Sequence, residues 1–222
     1  MKLSLITNNA DQNTRFEIDK RIAFHQAGHA AAICLGNQQK QLPAVHFQVI
    51  IKPQESDEPQ SGQSIRIQGK YTAKLEGGQL IQSLPLSFAE ATKGFSSEQQ
   101  KEYLCAIEAD VINLMAGSLA EAKYVASRDG EVFNPNLVNL DALHFYGGSS
   151  DLKFITEYME CFKLHKEKRA QKLTELFLAA FNFVNNRSNW GAISVLAEYI
   201  LDKPKDTIHC EELISLLKSR FY

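Results

Sequence analysis

His25 and His29 are separated by Gln26, Ala27 and Gly28. Two residues four apart on a helix lie on one face, one turn from each other, so both imidazoles can reach a single ion. Zinc accepts a histidine nitrogen at about 2.0–2.1 Å, and a third protein ligand then leaves one position open for water. The same spacing also occurs on helices that hold no metal, where the rings are core or surface residues. Gly28 adds a second signal. A glycine inside a helix costs about 1 kcal/mol relative to alanine, so its place between the two histidines points to tight packing or close approach of a ligand.

The elements that must position this pair read as helix, a short β region, then mostly helices. The first helix is expected from about Thr14 to Leu35, capped by Asn13 or Thr14 and stopped by Gly36-Asn37. Val45, Phe47, Val49 and Ile51 alternate with His46, Gln48 and Ile50, which predicts a strand. Lys52 to Gln63 reads as a loop, Ile65 to Ile67 as a second strand pairing with the first, and Gly77 to Gly94 has no clear period. Ser96 and Ser97 stand three residues before Gln99 and Gln100, giving two overlapping capping boxes. Behind them Tyr103, Ile107, Val111, Leu114 and Met115 recur at helical spacing, and that helix runs to about Ala126. A loop from Arg128 to Gly148 leads to a helix capped by Ser149 or Ser150, with Leu152, Ile155, Tyr158 or Met159, and Phe162 as its apolar stripe. Further helices are expected over Lys168–Asn186, Trp190–Leu201 and Cys210–Arg220, the last two separated by Pro204. The fold class is therefore mainly α (α+β): a tail over 1–14 and one domain over 15–222, with a β-rich segment and loop at about 42–95.

Composition narrows the function classes. The 222 residues carry 24 Lys and Arg against 26 Asp and Glu, a balance that excludes a dominant electrostatic footprint for nucleic acid. The N-terminus turns polar after Ile6, unlike a signal peptide, and no uninterrupted apolar run reaches membrane-spanning length. The expectation is a cytoplasmic protein with no nucleic-acid or membrane partner. Cys34, Cys105, Cys161 and Cys210 form no C-x-x-C pair and read as reduced thiols, with disulfides as the alternative. No G-x-x-x-x-G-K-[ST] phosphate loop occurs. The basic run Lys163–Lys172 reads as a solvated helix face. Leu176, Phe177, Leu178, Phe181 and Phe183 read as core, and Trp190 as a buried anchor at the start of its helix.

Four segments together resemble a known family. AFHQAGHAAA is similar to the H-E-A-G-H-A zinc helix of the FtsH-type ATP-dependent metalloproteases. Met115 to Tyr124, MAGSLAEAKY, resembles that family's A-G-R-A-A-E-E segment, and Gly147 to Thr156, GGSSDLKFIT, its T-G-A-x-x-D-L-x-x-A-T segment. Asn189 to Leu213 resembles its C-terminal helices. The matches fall in order and span most of residues 20 to 218; Leu42 to Phe95 matches less. The resemblance implies a helical zinc-metallopeptidase domain, with His25 and His29 as histidine ligands and Asp151 as the aspartate ligand. Glu121 matches a family glutamate near the site that could accept a hydrogen bond from a ligating histidine. His144, seven residues before Asp151, is a weaker ligand candidate.

One departure limits the implied activity. The family glutamate that accepts and returns a proton during peptide hydrolysis is Gln26 here. An amide has the same shape but takes no proton at neutral pH, and general acid–base help contributes about 10²–10⁴-fold. The expectation is a zinc-binding protein with weak or no proteolytic activity. Two alternatives stay open: an active metallopeptidase, with Gln26 an introduced change or another group as base, and a metal-free interaction protein. The resemblance further implies a peptide or unfolded protein as substrate, a separate ATPase partner, since neither motor nor membrane anchor is expected within this chain, and a homo-oligomer.

Overall fold

The computed structural model describes residues 17–53, 70–202 and 205–221. Helix α1 (Lys20–Ala31) begins at Asp19, whose carboxylate accepts the Arg21 backbone N–H at 2.8 Å. The helix is preceded by β1 (Glu17–Ile18), so it starts later than its apolar pattern predicts. Asn13, Thr14 and the 1–14 tail lie outside the described residues. Nor does Gly36-Asn37 end it. A π-helical turn (Ala32–Gly36) and α2 (Asn37–Gln39) continue without a break, and the chain leaves at Gln41, which has φ 57. Asn37 is buried and its side-chain oxygen accepts from Asn113 Nδ2 at 3.2 Å, so tertiary bonding carries the helix past the expected stop.

Three antiparallel strands and β1 form one sheet in the order β1-β3-β2-β4, with β2 (Phe47–Pro53), β3 (Lys70–Gly77) and β4 (Thr207–His209). Val49 stands opposite both Leu75 of β3 and Ile208 of β4, while β1 pairs parallel with β3. Phe47, Val49 and Ile51 are buried and alternate with His46, Gln48 and Ile50, so one face covers the core as the alternation requires. The strand expected over Ile65–Ile67 lies outside the described residues; β2's partner is Lys70–Gly77. The β region is not confined to 42–95, because β1 and β4 come from either end of the chain. Both are too short to show a period of two.

Helix α3 (Phe88–Ala91) is one turn inside the segment that has no period. Helix α4 (Ser97–Asp129) is the spine of the domain. Ser96 caps it and exchanges reciprocal bonds with Gln99, a complete capping box, and Gly130 closes it at φ 72. It is long and apolar enough to cross a membrane, but 72% of its apolar window is buried inside the protein. Residues of α4 from Ile107 to Ala122 pack between α1 and α6 (Lys166–Asn185). At the α1–α4 crossing a Cβ on Gly28 would lie 2.5 Å from the Ala116 carbonyl oxygen and 2.6 Å from Ala120 Cβ. The missing side chain of Gly28, with Ala116 and Ala120 opposite it, is what lets the two backbones approach this closely.

The loop after α4 contains a 3₁₀ segment (Leu140–Tyr146), followed by α5 (Ser149–Glu160). Gly148 takes the cap position of α5 in place of Ser149 or Ser150, and no side chain caps it. Helices α6, α7 (Arg187–Asp202) and α8 (Cys210–Phe221) complete the shell. Leu176, Phe177 and Phe181 are core, Leu178 is exposed and Phe183 half-buried. Trp190 is half-buried, its ring 5.4 Å from Phe24 with Lys123 Nζ 4.7 Å from its centroid. The run 163–172 is mostly exposed, with Lys172 paired to Glu108 at 2.5 Å. All four cysteines are free.

Candidate metal centre

His25 and His29 project from the buried face of α1, their ring centroids 4.8 Å apart. Each has its Nδ1 occupied by groups that can only accept a hydrogen bond. His25 Nδ1 donates towards Glu121 Oε2 and the Tyr146 carbonyl, both at 3.1 Å. His29 Nδ1 donates to the Asn113 carbonyl at 2.8 Å. Both rings therefore hold their proton on Nδ1 and turn Nε2 inward. Asp151 in the first turn of α5 completes the cluster, with Oδ2 3.3 Å from His25 Nε2 and 3.5 Å from His29 Nε2.

Asp151 Oδ2 is buried yet makes no hydrogen bond among the described residues. An unpartnered buried carboxylate oxygen is costly, and here it faces the inward Nε2 atoms of two imidazoles. Three ligand atoms at about 2.0–2.1 Å from one centre, at tetrahedral angles, lie about 3.3 Å apart. The two Asp–His separations match that spacing, and the donor set of two imidazoles and one carboxylate suits zinc. The residues present fit the ion.

The surroundings keep the cluster in place. Glu121 is 4% exposed on α4; one oxygen receives His25, and the other pairs with Arg21 at 2.7 Å. Arg21 also donates to the Phe145 carbonyl at 3.2 Å, tying α1 to the end of the 3₁₀ segment. A Cβ on Gly117 would stand 2.2 Å from His29 Nε2, so only glycine leaves room for that ring. Burial disfavours charge on His25, but the facing carboxylates of Asp151 and Glu121 outweigh it and raise the imidazole to about 9. Burial also pushes Asp151 up, and the two histidines more than reverse it, holding the carboxyl below its ordinary range.

Gln26 is turned to a different task. Its side-chain Oε1 accepts the Leu75 backbone N–H at 2.7 Å. Gly78 N–H bonds to the His46 carbonyl, which places the β3–β2 hydrogen bonds at even-numbered residues of β3. Leu75 N–H therefore points away from β2, and Gln26 satisfies it. His144 does not join the cluster; it is exposed on the 3₁₀ segment, with Nδ1 on the Asp141 carbonyl and its ring against Phe145.

Arg21, Asn113, Gly117 and Tyr146 also shape the site, outside its ligand motif. Asn113 and Tyr146 act through backbone carbonyls, which leave no signature in residue type. Gly117 did carry a signal, a glycine within a strong helical pattern. Comparison with protein-family models, with curated proteins and with solved structures finds no match to this chain.

Proposed function

We propose that this chain is a zinc-binding, metallopeptidase-like protein in which His25, His29 and Asp151 hold the ion and Gln26 leaves hydrolysis weak or absent. The observation that carries the reading is the unpartnered Asp151 Oδ2, buried 3.3 and 3.5 Å from two Nε2 atoms that have no other partner. The resemblance of four ordered segments to FtsH-type peptidase domains supports the peptidase part. It also supports flexible or unfolded peptide as the class of ligand and a separate ATPase or further copies of the chain as partners; the polar N-terminus and the unpaired cysteines support a cytoplasmic setting.

A bound zinc ion would supply Lewis-acid polarisation of a carbonyl and would lower the pKa of water to about 7. The chain's own residues determine what else can happen. Glu121 and the Asn113 and Tyr146 carbonyls hold an Nδ1 proton on each ring, so Nε2 is the nitrogen left for an ion, which would displace the second proton that the facing carboxylates favour on His25. Gln26 can donate or accept a hydrogen bond, but it cannot take a proton and pass it to a leaving amine. Its oxygen is already bonded to Leu75 N–H. Among the described residues no other carboxylate belongs to the cluster in a position to replace it.

Two measurements test the proposal. Purified protein is expected to hold about one zinc per chain by elemental analysis, and His25→Ala to hold none. A metal-free wild-type protein would favour the interaction-protein reading. In a casein or peptide assay, Gln26→Glu is expected to raise cleavage by about 10²–10⁴-fold, the usual contribution of a general base. Chelator-sensitive cleavage by the wild type at a rate comparable to Gln26→Glu would sink the impaired-site reading.

A further inference from the structure

A second group of two histidines and a carboxylate gathers at the solvent-facing side of the sheet. His46 stands just before β2, His209 ends β4, and Glu211 is in the first turn of α8. One ligand atom from each lies within 4.8 Å of the other two, and all three residues are exposed.

The strand register explains why residues so far apart in the chain converge. Gln48 is opposite His209. The pairing ends there, with His46 two residues before Gln48 on β2's side and α8 starting at Cys210 on the other, so His46 and Glu211 flank the same end of the ladder. Side chains alternate between faces, and Phe47, Val49 and Ile208 occupy the buried face. His46, Gln48 and His209 must then share the outer one, where His46 and His209 are exposed and Gln48 half-buried. Glu211 meets them from the start of α8, where an acidic residue also suits the helix dipole. Its neighbour Glu212 is taken by Lys205 at 2.6 Å and Tyr199 at 2.9 Å. Glu211 has no salt-bridge partner among the described residues.

We propose that His46, His209 and Glu211 form a second, surface binding site for a divalent transition ion. Two imidazoles and one carboxylate are a donor set for Zn²⁺, Ni²⁺ or Cu²⁺, with water filling the remaining positions, whereas Mg²⁺ and Ca²⁺ prefer all-oxygen sites. The side chains have no buried packing to hold them apart, so small rotations bring the atoms from their present separation to ligand distance. An ion there joins the chain entering β2 to the β4–α8 connection. It therefore binds the folded state in preference to the unfolded chain and raises its stability.

The test isolates this site from the buried one. Cu²⁺ or Ni²⁺ is titrated into protein carrying His25→Ala and His29→Ala, so the result does not depend on whether the buried cluster holds zinc. The expected result is one ion per chain, a melting temperature that rises with the ion, and, for Cu²⁺, an electron spin resonance spectrum showing two nitrogen ligands. Adding His46→Ala or His209→Ala is expected to weaken binding at least tenfold and to abolish the thermal shift. Mg²⁺ at the same concentration is expected to leave the melting temperature unchanged. An isotherm unaltered by His46→Ala and His209→Ala, which would place the ion at His144 or His165, overturns the proposal, as does the absence of saturable binding.

Discussion

The two histidine-containing clusters have the same composition, two imidazoles and one carboxylate, and opposite settings. At the buried cluster each ring is held at Nδ1, Asp151 Oδ2 already stands 3.3 and 3.5 Å from the inward nitrogens, and a glycine makes room for His29. At the exposed cluster no hydrogen bond among the described residues fixes either ring, and the ligand atoms lie within 4.8 Å of one another on side chains free to turn. The first has been organised at the expense of folding energy, since an unpartnered carboxylate oxygen and two ring nitrogens are buried. The second costs the fold almost nothing and must be gathered by the ion itself, losing side-chain freedom on binding. Donor type says which ion can bind; the supporting structure says how tightly.

The largest test of this contrast is Asp151→Ala. Removing the charged ligand is expected to abolish stoichiometric zinc, a greater effect than the 10–100-fold that follows loss of an outer support. Elemental analysis after dialysis checks it. The exposed cluster should keep its Cu²⁺ affinity in the same variant, because its residues stand beside β2, on β4 and on α8 rather than on α5. Retention of one tightly held zinc in Asp151→Ala would show that the buried trio is not the binding site.

Next in size is Gly117→Ala, which changes no ligand. Its Cβ would meet His29 Nε2 at 2.2 Å, so the ring must move off the position facing Asp151. Overpacking of this kind costs about 1–3 kcal/mol, offset by at most about 1 kcal/mol from the better helix propensity of alanine. The expected outcome is a lower melting temperature together with loss of zinc. Unchanged zinc content would mean that α4 does not set the ring position.

Glu121→Gln probes the support alone. The amide keeps the shape but offers His25 a neutral acceptor and leaves Arg21 without its ion pair. Zinc affinity is expected to fall about 10–100-fold, measured by competition with a chelator. Arg21→Ala should do less, because that side chain is 43% exposed and solvent screens its pairing with Glu121.

These sites were unequally legible in the sequence. Helical periodicity located α4 and its capping box, and β2 showed its alternation, because long periodic elements repeat one signal many times. The His25–His29 face was visible for the same reason: both residues belong to one helix. Bringing Asp151 to that face depends on how α5 docks, which no local spacing encodes, and only the resemblance to a family suggested it. The exposed cluster was hidden altogether. Its members stand just before β2, in a three-residue strand and in the first turn of α8, and β4 has too few residues to announce itself. The extension of α1 to Gln39 was missed because Gly36 and Asn37 look like a stop, while the bond from Asn113 to Asn37 is tertiary.

The smallest expected effect is the most direct comparison of the two settings without any metal. His46→Ala in metal-free protein should shift stability by no more than about 0.5 kcal/mol, as for an exposed residue with no structural partner. His29→Ala should cost more even without metal, because it removes a buried ring and its bond to the Asn113 carbonyl, which keeps only its helical partner; the bond alone is worth about 0.5–1.5 kcal/mol. Urea denaturation in chelator measures both, with unchanged slopes confirming that the same surface unfolds. Equal effects would mean that His29 gains nothing from its burial and hydrogen bond, and the distinction between an organised and an unorganised cluster would fail. A near-neutral His46→Ala beside a costly His29→Ala would locate the difference where the structure puts it, in the groups behind the ligands.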